Sequence, residues 1–229
     1  MSGRSGPAGA GADGARGRPR LRDYVAWHEA YDDPDSTLSV RLRRVQRTIG
    51  DAYDRMPGAV RVLSSCAGQG ADILGVLEAR PELRGRTTGA LLELLEDNCA
   101  VARARIRDLG AELEVRRVDA SVSDNYFGAV PADLVLLVGI MGNIPACDVE
   151  RLVRASPQFC APGATVIWTR GAQEPDLGPA IVRWFARAGF EHLTRPEPLE
   201  GTGMRVGVER LVGDPEPLRA GARLFTFFR

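Results

Sequence analysis

The chain has 229 residues, a formal net charge of +0 and 44% apolar residues, values that fit one globular domain of generous size. No polybasic block interrupts its body, so the sequence lacks the concentrated positive face that a nucleic-acid backbone requires, and we expect no nucleic-acid partner. The chain contains no lysine, which excludes a lysine nucleophile or Schiff base.

The cysteine spacing and the absence of long apolar runs bear on metal binding and cellular location. Cys66, Cys99, Cys147 and Cys160 are widely separated and form no CxxC pair. With two histidines in the chain, they predict no metal site and favour free thiols in a reducing cytoplasm. No apolar signal-peptide core is present, and the run at residues 134–140 is far shorter than the ~20 residues that cross a bilayer. We therefore expect a cytoplasmic protein with no membrane partner.

The first 57 residues divide into a polar tail and a helical segment. Residues 1–20 are almost entirely Gly, Ala, Ser, Pro and Arg, a composition that predicts a disordered tail. Residues 21–57 show two helical stripes, which predict a cap of two helices on the domain that follows. The first stripe consists of four residues on one helix face: Tyr24, Trp27, His28 and Tyr31.

From residue 58 onwards, strand-like and helix-like patterns alternate, which is typical of an α/β fold. Strands are predicted at residues 60–64, 88–93, 112–118, 132–138 and 165–169, and helices at 71–79, 95–109, 148–159 and 179–188. Two late β-like runs, at 204–212 and 223–228, have no helix between them and predict an antiparallel pair at the sheet edge. Residues 58–229 are therefore predicted to form a Rossmann-like, doubly wound and mostly parallel sheet of seven strands with an antiparallel edge strand.

The first strand runs into a glycine-containing loop. The run Cys66-Ala67-Gly68-Gln69-Gly70 follows the strand directly, and a helix begins immediately after it. Glycines at such a turn let the backbone approach a ligand closely, and the helix start presents free N–H groups. Two glycines alone are a weak signal of a nucleotide-type cofactor.

Acidic residues end the next two strands. Glu93 lies about 20 residues beyond the glycine loop, where a carboxylate can accept hydrogen bonds from ribose hydroxyls. Asp119 ends the third strand, where it could accept from an adenine amine while the Ala120 N–H serves a ring nitrogen. Either acid could instead stabilise a helix start or a turn. Three such features at successive strand ends nevertheless predict one ligand crevice.

These stretches resemble the class I S-adenosylmethionine-dependent methyltransferases. The similar runs are VLSSCAGQGAD, GALLELLEDN, VRRVDAS, PADLVLLVGIMGNI and CAPGATVIWT, and the resemblance covers residues 58 to 228. Within that family, the chain looks most like an actinobacterial group of small-molecule methyltransferases, which share a leading segment like WHEAYDDPDS.

The resemblance implies S-adenosylmethionine as cofactor. The residues that it places around the cofactor are Ser64, Cys66, Ala67, Gly68, Gly70, Asp72, Glu93, Leu94, Asp119, Ala120 and Gly139. Two positions depart from the family pattern, because Ser64 stands where an acid is usual and Cys66 stands where the first glycine is usual. Asp72, one turn into the helix, is the candidate to replace that acid. The same Cys66 breaks the G-x-G-x-x-G pattern of NAD-binding dehydrogenases.

The sequence says less about the acceptor, the molecule that would receive the methyl group. His28 and Asn143 are the candidate catalytic residues, and Trp27, Tyr31, Asn143 and Arg170 are the candidate substrate-binding residues. The aromatic stripe could equally be core packing, Asn143 a turn residue and Arg170 a solvated charge. The loop at residues 139–144 lacks the NPPY-type pattern of nucleic-acid base methyltransferases, so we expect a small-molecule acceptor.

Three other functions stay open at this point. An enzyme could consume S-adenosylmethionine by cyclising its aminobutyl arm, with methylthioadenosine as the product. The chain could also bind the cofactor without catalysis, or it could bind NAD as a dehydrogenase. The protein partner that stays open is a second copy of this chain, in a homodimer.

Overall fold

The computed structural model describes residues 33–171, 174–194, 198–199 and 202–228. The predicted tail and the first of the two cap helices therefore lie outside the described residues. The second cap helix is present, and it begins where the Ser36 side chain accepts a hydrogen bond from the Ser39 N–H at 3.1 Å.

The described helices and strands alternate along the chain. The helices are α1 (Thr37–Asp54), α2 (Ala71–Ala79), α3 (Glu96–Leu109), α4 (Ala146–Ala155) and α5 (Gly178–Arg187). The strands are β1 (Val60–Ser65), β2 (Thr87–Glu93), β3 (Glu112–Arg117), β4 (Ala132–Leu137), β5 (Cys160–Arg170), β6 (Phe190–Thr194) and β7 (Arg205–Leu211). None of the described helices is long and apolar enough to cross a membrane.

The strands of the described residues form one sheet in the order β3-β2-β1-β4-β5-β7-β6. All neighbouring pairs are parallel except those of β7, which runs antiparallel to both β5 and β6. This sheet confirms the predicted α/β architecture of seven mostly parallel strands with an antiparallel strand at one edge.

The strands at that edge differ from the predicted pair. The partner of β7 on the outside is β6, whereas residues 223–228 form a single bridge, between Val122 and Arg223, and no strand. The sequence of β6 contains polar residues that become partners across the pair: His192 Nδ1 lies 2.8 Å from Glu209 Oε1, and Glu191 pairs with Arg210. These cross-strand contacts stabilise a strand that has no clear apolar alternation of its own.

Helices cover the sheet on both faces. One face packs against α1, α2 and α3, and the other packs against α4, α5 and the segment that contains Phe225. The central strands are buried on both faces, which explains the continuous apolar run of β4. The α1 helix packs on the first of these faces through its buried residues Val45, Ile49, Ala52 and Tyr53.

The strand order reverses between β1 and β4. The chain moves outward from β1 to β3 and then returns to place β4 on the other side of β1. In open α/β sheets, ligands bind at such a switch point, outside the carboxyl ends of the strands. The loops that follow β1, β2, β3 and β4 are therefore the place to look for a site.

Candidate active site

The loop after β1 has an unusual backbone. Cys66, Gly68 and Gly70 all have positive φ angles, of 53°, 56° and 69° respectively. Gly70 is the residue before α2, and an added Cβ there would lie 2.8 Å from a methyl carbon of Leu91. The turn thus brings the chain from β1 to the start of α2, and Gly70 is packed against side chains of the core. Cys66 holds a conformation that costs a non-glycine residue about 1–2 kcal/mol.

The Glu93 carboxylate joins this loop to the end of β2. Its Oε2 accepts a hydrogen bond from the Gly68 N–H at 2.7 Å, and its Oε1 accepts one from the Leu95 N–H at 2.9 Å. The side chain is buried, with 7% relative exposure. Each carboxylate oxygen has a second lone pair. Glu93 can therefore hold the loop and accept from a bound hydroxyl group at the same time.

The end of β3 lies beside Glu93. The Val118 N–H donates to the Glu93 carbonyl at 2.9 Å, and the following Asp119 keeps a half-exposed side chain. Its Oδ1 accepts from the Ser121 N–H at 2.9 Å, which fixes the carboxylate at the turn. The predicted acids therefore lie on adjacent strand ends.

Tyr126 ties the end of β1 to the turn after β3. Its hydroxyl donates to the Ala120 carbonyl at 2.7 Å and lies 3.1 Å from the Ser65 Oγ. The ring is fully buried and stacks on Phe159, with 4.6 Å between the ring centroids. Tyr126 was not among the predicted site residues, because it lies 61 positions from Ser65 and no local pattern marks the contact.

The turn after β4 is closed by two side chains. The Gly139 N–H donates to the Thr169 Oγ1 at 2.8 Å, and the Asn143 Nδ2 donates to the Gly139 carbonyl at 2.7 Å. Gly139 has a φ of 77°, and an added Cβ would meet no atom within 4 Å. The turn is therefore rigid and leaves open space at its first residue. Thr169 was not among the predicted site residues.

Three other predicted site residues are buried. Ser64 lies inside β1, with 1% relative exposure. Asp72 lies in the first turn of α2, where its carboxylate accepts from the Ile73 N–H, and burial raises its pKa while Arg41 and Arg105 oppose that shift. The Arg170 guanidinium donates to the carbonyl of Met141, so it braces the turn after β4. Burial lowers the pKa of Arg170.

The remaining predicted positions fall into two groups. Ala67 donates its N–H to the Leu92 carbonyl at 2.9 Å, and Leu94 exposes 58% of its surface next to Glu93. His28, Trp27 and Tyr31 lie outside the described residues. The structure therefore brings the loops after β1, β2, β3 and β4 together at the carboxyl ends of the strands. The roles of His28, Trp27 and Tyr31 stay predictions.

Three of the four thiols have a raised pKa. Burial, with Glu93 and Asp119 nearby, raises the pKa of the Cys66 thiol. Burial also raises the pKa of Cys99, and it raises the pKa of Cys160 to about 12. A raised thiol pKa leaves little thiolate at neutral pH, and the thiolate is the reactive form. These three cysteines are thus unsuited to covalent catalysis.

We expect iodoacetamide at pH 8 to alkylate Cys147 well before the other three cysteines, because Cys147 is exposed. Peptide mass spectrometry of a time course would measure the order of labelling. Rapid labelling of Cys66 in the folded protein would contradict the raised pKa of that thiol.

Comparisons with known proteins bear on the fold. No family model matches the chain, and no curated protein matches it. Among solved structures, the chain is similar to magnesium protoporphyrin IX methyltransferase from Synechocystis PCC 6803 with bound S-adenosylmethionine. The TM-score is 0.61 at 11% identity, over 82% of this chain and 90% of that one.

Two further solved structures are methyltransferases by name. The CurJ carbon methyltransferase gives a TM-score of 0.60 at 17% identity, over 83% of this chain and 59% of that one. An O-methyltransferase family protein from Burkholderia thailandensis gives 0.59 at 17% identity, over 88% and 62%. The chain therefore spans about 60% of the length of these two proteins. At these identities, the likeness establishes a shared Rossmann-like fold.

Proposed function

We propose that the chain is an S-adenosylmethionine-dependent methyltransferase that acts on a small-molecule acceptor. The observation that carries this proposal is the Glu93 carboxylate, which ends β2 and holds the Gly68 N–H of the glycine loop at 2.7 Å. This contact lies beside the switch point of the sheet, at the carboxyl ends of β1 and β2. A ribose bound there would meet the Glu93 carboxylate, and the rest of the nucleoside would meet the glycine loop. The resemblance in sequence and the likeness in fold both support the same cofactor.

The residues at the carboxyl ends of β2, β3 and β4 fit an adenine nucleoside with a charged amino-acid tail. Glu93 retains lone pairs for ribose hydroxyls, and the half-exposed Asp119 can accept from an adenine amine. The exposed Leu94 side chain offers an apolar surface for one face of the base. The open space at Gly139 leaves room for the tail beside β4.

Each part of this region has a role in this proposal. Cys66, Ala67, Gly68 and Gly70 contact the methionine end through the backbone, with Ser64 behind them in β1. Asp72 is the proposed substitute for the missing acid. Its carboxylate is buried at the start of α2, where burial raises its pKa and the positive charges of Arg41 and Arg105 lower it. Ala120 serves the adenine ring through its N–H.

The bound cofactor would supply a methyl group on a positively charged sulfur, which a nucleophile attacks in line. Alignment of the acceptor can provide most of the rate in such a transfer, and a base is required only where the acceptor must lose a proton. Asn143 and Arg170 align the acceptor indirectly, because their hydrogen bonds fix the turn after β4. His28 as base, with Trp27 and Tyr31 as aromatic walls, completes the proposal.

The proposal also covers group membership, cellular location and oligomeric state. These are membership of the actinobacterial small-molecule group, a cytoplasmic location and a homodimeric state. The likeness to O- and C-methyltransferases favours methyl transfer over cyclisation of the cofactor.

The nucleoside product tests the choice of reaction. The protein would be incubated with S-adenosylmethionine, with and without a panel of phenols and amines, and the nucleosides would be separated by mass spectrometry. We expect S-adenosylhomocysteine that depends on an acceptor. Methylthioadenosine formed without any acceptor would show that the aminobutyl arm is attacked instead.

A further inference from the structure

A strap at the end of the chain borders the candidate site. The strap, residues 221–228, runs antiparallel to the connection between β3 and β4. Its hydrogen bonds to this connection include Gly221 N to Asp124 Oδ2 at 2.7 Å, Ser123 N to the Ala222 carbonyl at 2.9 Å and Leu224 N to the Ser121 carbonyl at 2.8 Å. The strap therefore begins beside the turn that carries Asp119.

The strap is part of the folded core. Leu224 and Phe225 are 3% and 0% exposed and pack in the same core as α4. Phe225 and Phe227 meet edge to face, with 5.3 Å between their ring centroids. Burial of these side chains fixes the path of the strap.

The strap then reaches the turn after β4. The Thr226 N–H donates to the Asp148 Oδ2 at 2.7 Å, and the Phe228 N–H donates to the Asn143 carbonyl at 2.9 Å. The Phe228 ring follows and is 64% exposed. A single segment thus connects the adenine side of the site with the acceptor side and ends on an exposed aromatic ring.

Among the charged side chains that the structure describes near this end, Asp148 and Arg170 are engaged with protein groups. Besides the Thr226 N–H, Asp148 binds the Arg151 guanidinium at 2.5 Å. Arg170 donates to the carbonyls of Met141 and Pro175. At the start of the strap, the Arg223 guanidinium lies 3.7 Å from Asp119 Oδ2. At its other end, the exposed apolar group among the described residues is the ring of Phe228. An aromatic ring favours a flat, apolar partner, through stacked or edge-to-face contact.

We propose that the strap forms one wall of the acceptor site and that Phe228 contacts an uncharged, aromatic acceptor. This inference rests on the proposed methyltransferase function and specifies the chemical class of its substrate. Phe228 is a specificity-determining residue in this arrangement, because it selects the shape and polarity of the acceptor and leaves the cofactor contacts unchanged.

The test uses 1-naphthol as a neutral, flat probe. Binding of S-adenosylhomocysteine would be measured first by calorimetry, and binding of 1-naphthol to the protein saturated with that nucleoside would follow. We expect Phe228→Ala to weaken 1-naphthol binding about tenfold, with an unchanged affinity for S-adenosylhomocysteine. The matched control is Phe127→Ala, which removes another exposed aromatic ring (53% exposed) from the connection after β3.

The outcomes separate the two proposals. Equal 1-naphthol binding by the wild type and Phe228→Ala, or an equal loss in Phe127→Ala, would overturn the role of Phe228. Normal binding of S-adenosylhomocysteine without any binding of 1-naphthol would overturn the aromatic acceptor and leave the methyltransferase proposal standing. A wild-type protein that does not bind S-adenosylhomocysteine would overturn both.

Discussion

Replacement of Glu93 by alanine is expected to weaken S-adenosylhomocysteine binding about a hundredfold. A hydrogen bond to a charged group contributes ~1.5–3 kcal/mol, so the loss of two bonds to the ribose removes about 3 kcal/mol, and each 1.4 kcal/mol corresponds to a factor of ten. Glu93→Ala also leaves the N–H groups of Gly68 and Leu95 without their acceptor. We therefore expect a lower melting temperature as well.

Two further variants separate affinity from stability in this experiment. Glu93→Gln keeps the side-chain volume and one acceptor oxygen, and we expect an intermediate loss of affinity. Glu96→Ala removes a neighbouring acid at the start of α3 that pairs with Arg103 on the surface, so its affinity should equal that of the wild type. Calorimetry and thermal unfolding would measure both quantities. Wild-type affinity in folded Glu93→Ala would show that Glu93 only stabilises the loop.

Replacement of Gly139 by alanine is expected to weaken cofactor binding at least tenfold and to lower the free energy of unfolding by about 1–2 kcal/mol. The added methyl group meets no protein atom within 4 Å, so it would project into the space that we assign to the cofactor. Overfilling a packed contact costs ~1–3 kcal/mol. The φ of 77° adds a strain of about 1–2 kcal/mol to the folded protein.

Gly163 provides a matched control for that strain. Its φ is 75° and its Cβ position is also open, but it lies near the start of β5, away from the carboxyl ends of the strands. We expect Gly163→Ala to lower the free energy of unfolding by a similar amount and to bind S-adenosylhomocysteine normally. If the two variants bound the nucleoside equally well, the space at Gly139 would not belong to the cofactor site.

Local patterns in the sequence predict most of the fold. The helix predicted at residues 71–79 has the observed bounds, Ala71–Ala79, because an apolar stripe follows directly on a glycine turn. The strands at the centre of the sheet are buried on both faces, so their apolar runs are strong signals.

The edge of the sheet shows where local patterns fail. Residues 223–228 are rich in apolar residues and were predicted as a strand, but Leu224 and Phe225 pack in the core and the segment forms a single bridge. The β6 strand depends on His192 and Glu191, whose partners lie on β7, about 20 positions away. Pairing between distant residues cannot be seen in a window of local sequence.

The site shows the same limit. The positions of Glu93 and Asp119 at adjacent strand ends follow from spacing alone, because parallel strands end at one edge. The hydrogen bond from Gly68 to Glu93 and the link through Tyr126 require the assembled sheet. The contact between the strap and Asn143 has no signal in the sequence, because it is set by the path of the chain around the core.

Titration calorimetry of the wild-type protein tests the cofactor assignment most directly. We expect S-adenosylhomocysteine to bind with micromolar affinity and NAD not to bind, because the loop after β1 carries Cys66 in place of the first dinucleotide glycine and the acids at Glu93 and Asp119 fit a ribose and an adenine amine. Tight binding of NAD, with no response to S-adenosylmethionine or S-adenosylhomocysteine, would contradict the proposed function.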